Sequence, residues 1–70
     1  MATPGDWTVI FEFNKLPQRR QTPLSEQWTF EEIKDGFWLN ADHQLCRRSQ
    51  GHYWIPPSRI MWIEPLEKQL

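Results

Sequence analysis

Gln27-Trp28-Thr29-Phe30-Glu31-Glu32-Ile33-Lys34-Asp35-Gly36-Phe37-Trp38-Leu39-Asn40 is the stretch on which the architecture turns. Trp28, Thr29, Phe30 and Ile33 are β-branched or aromatic, types that fit a pleated, half-buried surface. Asp35-Gly36 is a two-residue hairpin signal, because a type I′ turn needs positive φ at both central residues. The opposing pattern is helical. Ser25 or Thr29 can cap a helix, Thr29-x-x-Glu32 fits a capping box, and Gly36 can stop one. The balance favours two paired strands, Trp28–Lys34 and Phe37–Asn40. A helix in their place would break the strand order argued below.

On the N-terminal side, Trp7-Thr8-Val9-Ile10-Phe11-Glu12-Phe13 alternates with period two. Trp7, Val9, Phe11 and Phe13 share one face of a strand, and Thr8, Ile10 and Glu12 the other. Asn14 ends it. Residues 15–26 are polar and carry Pro17 and Pro23, which neither a helix interior nor a central strand accepts. They read as a long loop, a kind of segment that is often functional.

On the C-terminal side, Asn40-Ala41-Asp42-His43 is a turn of side chains that bond their own backbone. Gln44–Arg48 reads as a short strand, Ser49-Gln50-Gly51 as a turn and His52–Ile55 as the next strand. Pro56-Pro57-Ser58 breaks the ladder, Ile60–Glu64 is the last strand, and Pro65 stops it. Five or six short strands cannot fill two full sheets. The efficient solution is a sheet curled on itself, a small, partly open all-β barrel over residues 7–64. Residues 1–6 are expected to be a flexible N-terminus, and 65–70 a frayed tail.

Composition narrows the possible roles. The chain of 70 residues is one domain, and five Trp, four Phe and one Tyr are its main source of core mass. Six or seven aromatics can form that core, which leaves a surplus of three or four for a surface. Eight basic and nine acidic side chains give a net charge of −1, so there is no global pull toward nucleic acid or an anionic membrane. Cys46 is the only cysteine, which excludes an internal disulfide and favours the reducing cytoplasm. Met1–Asp6 lacks a signal-peptide pattern. The longest apolar run is the four residues from Ile60 to Ile63, far short of the ~20 that span a bilayer.

Several local runs resemble those of the Src-homology-3-like barrel. Val9-Ile10-Phe11-Glu12-Phe13 is similar to that family's opening motif of alanine, leucine, tyrosine, aspartate and tyrosine. Asp35-Gly36-Phe37-Trp38-Leu39-Asn40-Ala41 resembles its acidic-glycine run into paired tryptophans. Gly51 with Trp54-Ile55-Pro56-Pro57-Ser58 resembles its glycine, aromatic, isoleucine, proline, serine segment. The resemblance spans Trp7 to Ile63 and implies a five- to six-stranded barrel. It also implies an aromatic groove for proline-rich peptides, at Phe11, Phe13, Phe37 and Pro56 or Pro57. The groove's tyrosine hydroxyls are absent, and Arg59 or Ile60 stands where its last tyrosine would be. The long loop, acidic in that family, carries Arg19 and Arg20, which suits an acidic partner instead.

The candidate chemistry is thin. His43-x-x-Cys46 with His52 supplies zinc-ligand types without the paired spacing of a closed site. A turn histidine, a strand cysteine and a second turn histidine is the favoured account, and neither cofactor nor metal is expected. Cys46 with a histidine falls short of a shaped pocket and an oxyanion hole. Glu31 and Glu32, as strand neighbours, would point to opposite faces. The chain is therefore expected not to be an enzyme.

The leading expectation is a small interaction or regulatory module. It would bind a protein or peptide through Arg19, Arg20, Phe37, Trp54, Pro57, Arg59 and Trp62, since Trp and Arg dominate interface energies. The alternative is a nucleic-acid-binding barrel using Arg19, Arg20, Arg47, Arg48 and Arg59 beside exposed aromatics. A membrane partner is not expected. A homo-oligomer built by pairing edge strands is a third arrangement.

Overall fold

The computed structural model describes residues 7–23 and 25–66. Most of the expected flexible ends, 1–6 and 65–70, lie outside the described residues; Pro65 closes the last strand. Among the described residues the protein is all-β apart from one short α-helix, with six strands in two small antiparallel sheets. These are β1 (Trp7–Phe13), β2 (Leu16–Gln21), β3 (Phe37–Leu39), β4 (Leu45–Cys46), β5 (Tyr53–Ile55) and β6 (Ile60–Pro65). The helix α1 spans Phe30–Lys34. One sheet has the order β2-β1-β6 and the other β4-β3-β5.

The 15–26 segment is not a loop throughout. Asn14 and Lys15, at φ 54° and 65°, form a left-handed two-residue turn, and β2 returns antiparallel along β1 from Phe13↔Leu16 to Thr8↔Gln21. The prolines exclude only a central strand; β2 is an edge, and Pro17 is accommodated there opposite Glu12. Thr22 carries the pairing one step further, its N–H donating to the Trp7 carbonyl at 2.9 Å.

Residues 28–34 are likewise not a strand. Thr29 is an extended N-cap whose Oγ1 accepts from the Glu32 N–H at 3.1 Å, while Glu32 Oε1 accepts from the Thr29 N–H at 2.9 Å. The capping box outweighed the β propensity because it satisfies two orphan donors at once. Glu31 and Glu32 in the first turn and Lys34 in the last complement the helix dipole. Gly36, at φ 105°, stops the helix, so Asp35-Gly36 is a helix end and not a hairpin turn. Ile33 is the one buried residue of α1, which packs against β6 and β3.

The 44–48 strand contracts to Leu45–Cys46, and Arg48–Gln50 form a 3₁₀ turn closed by the Gly51 N–H on the Arg48 carbonyl. The 40–43 turn forms as its residues dictate: Asn40 Oδ1 accepts from the N–H groups of Asp42 and Gln44, at 2.8 and 3.0 Å. Pro57–Arg59 form a second 3₁₀ turn ahead of β6.

The two sheets share one core of Val9, Phe11, Trp28, Ile33, Phe37, Leu39, Leu45 and Ile55, with Trp7, Phe13, Ile60 and Ile63 packed against it. Phe11 and Phe37 meet edge to face at 5.1 Å across it. Where β6 pairs with β1 the register slips. Ile10 faces Trp62 and Phe11 faces Ile60, so Met61 is an extra residue. Ile60 and Ile63 turn inward, and both Met61 and Trp62 are left about 60% exposed, at 60% and 59%.

Candidate interaction surface

Alternation along the short strands of the second sheet sorts its side chains. Phe37, Leu39 and Ile55 point into the core, and Trp38 and Trp54 point away from it. The register then aligns Cys46, Trp38 and Trp54 in one row across β4, β3 and β5. The two indoles lie 5.4 Å apart at 49°. Each sits on a glycine. A Cβ on Gly36 would come within 2.4 Å of the Trp54 ring, and one on Gly51 within 2.5 Å of Trp38. Any side chain at either position would lift an indole from its seat.

Arg47 and Arg48 leave the end of β4 in different roles. The Arg47 guanidinium lies 3.8 Å from the centre of the Trp28 ring and donates to the Gln27 carbonyl at 2.9 Å. It also pairs with Glu26 at 3.5 Å and with Glu32. These contacts clamp β4 to the start of α1. Glu32 sits below the usual carboxylate range, held there chiefly by its bond from the Thr29 backbone and then by Arg47. Arg48 is exposed and, among the described residues, has no ion-pair partner. With Trp38 and Trp54 it lines an open hollow of about 430 Å³. A neighbouring depression of about 310 Å³ continues from the same three residues to Trp28, Glu32 and Arg47.

A second apolar surface lies on the first sheet. Phe30 of α1 and Met61 and Trp62 of β6 are exposed around a hollow of about 220 Å³ that also touches Ile60 and Ile63. Arg19 on β2 stands opposite Ile10, which stands opposite Trp62, so these three form a row across the sheet.

The residues singled out from sequence are therefore dispersed. Trp54 joins the Trp38 surface, together with Arg48 and Arg47 of the nucleic-acid set. Trp62 belongs to the other sheet. Phe37 is 2% exposed and belongs to the core rather than to an exposed face, because inward alternation on β3 puts it there. Arg20 is engaged, its Nε donating to the His43 carbonyl at 2.8 Å. Pro57 and Arg59 are exposed at either end of the second 3₁₀ turn. Trp38, Met61 and Phe30 lie outside the candidate binding set read from the sequence, although alternation requires at least one of Trp38, Trp54 and Trp62 to face out. Alternation along β3 opposes Trp38 to the inward Phe37; the bulge that exposes Met61 leaves no signal in the sequence.

Cys46 is buried, and burial, seconded by Glu26, pushes its thiol up from the ordinary value. A thiol held neutral in this way is a poor nucleophile. Among the described residues no three His, Cys, Asp or Glu side chains are grouped to hold a metal ion, and no helix is long and apolar enough to cross a membrane. No protein-family model, curated protein or solved structure matches the chain.

Proposed function

We propose that this protein is a small, non-catalytic interaction or regulatory module that binds a protein or peptide partner through the Trp38–Trp54–Arg48 surface. The observation that carries the reading is the seating of two outward indoles on Gly36 and Gly51 beside an unpaired arginine. Burying one such indole in a partner removes ~150–250 Å² from water. Its fixed geometry lowers the ordering cost of binding. Trp54 is 46% exposed, and so has area left to bury. The proposal takes the fold as a partly open, Src-homology-3-like barrel. Its support is the shared core of two antiparallel sheets and the proline turn before the last strand. A buried free thiol suits the reducing cytoplasm.

A peptide-display selection tests this. Immobilised wild-type protein is expected to enrich peptides from a random library, and Trp38→Ala and Trp54→Ala, checked as folded by circular dichroism, to lose that enrichment. Enrichment that is absent, or unchanged in both variants, overturns the reading. The nucleic-acid alternative draws on the same indole pair, which also offers a stacking platform for bases. It is disfavoured by the engagement of Arg20 and Arg47. An affinity for a single-stranded oligonucleotide that falls steeply with salt would move the function to that alternative.

A further inference from the structure

Building on this reading of the Trp38–Trp54 surface, we infer that its partner is a peptide segment carrying a large apolar side chain beside a carboxylate, the apolar group lying on the indoles and the carboxylate meeting Arg48. Charge complementarity along the groove selects this partner. At the Trp28 end, Arg47 is neutralised by Glu26 and Glu32, and the Trp28 ring face is already covered by the Arg47 guanidinium. At the Trp54 end, Arg48 faces the same hollow with no counter-charge among the described residues. The surface thus presents two apolar rings, one balanced end and one cationic end.

A carboxylate arriving at Arg48 gains a charge-assisted bond that strengthens as the bound segment excludes water. A lysine or arginine arriving there meets like charge at Arg48, and the Trp28 ring is already covered by the Arg47 guanidinium. A nucleic-acid backbone would need several free cations along its path, and among the described residues lining this groove only Arg48 lacks a counter-charge, with the Glu32 carboxylate nearby. The position of the charge differs from the sequence-based expectation of an acidic partner, which rested on Arg19 and Arg20.

Two focused peptide-display libraries test the inference. Both fix a central Trp, Phe or Leu; one flanks it with Asp or Glu, the other with Lys or Arg, and the remaining positions are random. Wild-type protein is expected to enrich the acidic library over the basic one by about tenfold, the size of one well-placed charge contact. Arg48→Glu is expected to reverse the preference, and Trp54→Ala to abolish both enrichments. Equal or greater enrichment of the basic library by wild type, or a preference unchanged in Arg48→Glu, overturns the inference. If both libraries enrich equally and Trp54→Ala abolishes both, the charge rule fails while the interaction module stands. If neither enriches, both fail.

Discussion

Glu32 uses its two carboxylate oxygens on two elements. One accepts from the Thr29 backbone and closes the capping box; the other meets Arg47 at the end of β4. Both contacts hold the folded-state pKa below the unfolded value. Its contribution to stability is therefore complete above the ordinary carboxylate range and is lost as pH falls through the depressed value. Glu32→Gln should be less stable than wild type at neutral pH, with the gap closing as pH falls through the depressed folded-state value, below which the carboxyl is protonated in both states. Urea melts of both proteins across that range check it, and a pH-independent gap would point to lost packing instead. Gly36 is the second decisive residue. At φ 105° and beneath Trp54 it is constrained twice. Gly36→Ala should cost about 1–3 kcal/mol and shift the tryptophan emission. In a Trp54→Ala background the indole clash is gone and the backbone cost remains with the 3.0 Å approach to the Ile55 carbonyl, so the penalty should shrink without vanishing, as a double-mutant cycle would show.

Elements formed where local chemistry and pattern agreed. β1 is one case: its alternation put Val9 and Phe11 in the core, as the period required. The 40–43 turn is another, held by the Asn40 side chain and backbone with His43 in the left-handed region. Residues 28–34 carried two valid local signals, and choosing between them needed the position of Ile33. It alone of α1 is buried, a pattern that suits a helix anchored at one point better than a strand buried along a face. β2 was hidden because Pro17 excludes a strand only where both edges are bonded. The Trp38–Trp54 pairing depends on register between strands far apart in sequence, which side-chain alternation cannot supply. The β1–β2 turn leads to a further expectation. Lys15 sits at φ 65° where glycine has no steric cost, so Lys15→Gly should raise stability by about 0.5–1 kcal/mol in thermal or denaturant unfolding.

The whole molecule rests on one small core. A domain of 70 residues has a total stability of roughly 4–10 kcal/mol at typical values per residue. Phe11 is fully buried on the central strand of its sheet and touches Phe37 across the core. Phe11→Ala should cost about 3–5 kcal/mol, enough to leave much of the population unfolded at 37 °C. Loss of cooperative melting by circular dichroism would register this, and retention of a sharp transition would show that the core can collapse around the gap. Cys46 gives an independent readout, since its buried thiol should react with a disulfide reagent only as fast as the protein opens.

Exposed tryptophan and methionine on a strand at the border of a sheet are ordinarily a hazard, because such a strand can template fibre growth. Here the same strand carries its own safeguard. The extra residue at Met61 interrupts the regular spacing of hydrogen-bonding groups along β6, and Pro65 removes a donor at its end, as Pro17 does on β2 at the opposite border. A cross-β stack needs an unbroken run of donors and acceptors, and neither border of this sheet offers one. The bulge that pushes Met61 and Trp62 into solvent thus also interrupts the edge along which such a stack would have to grow.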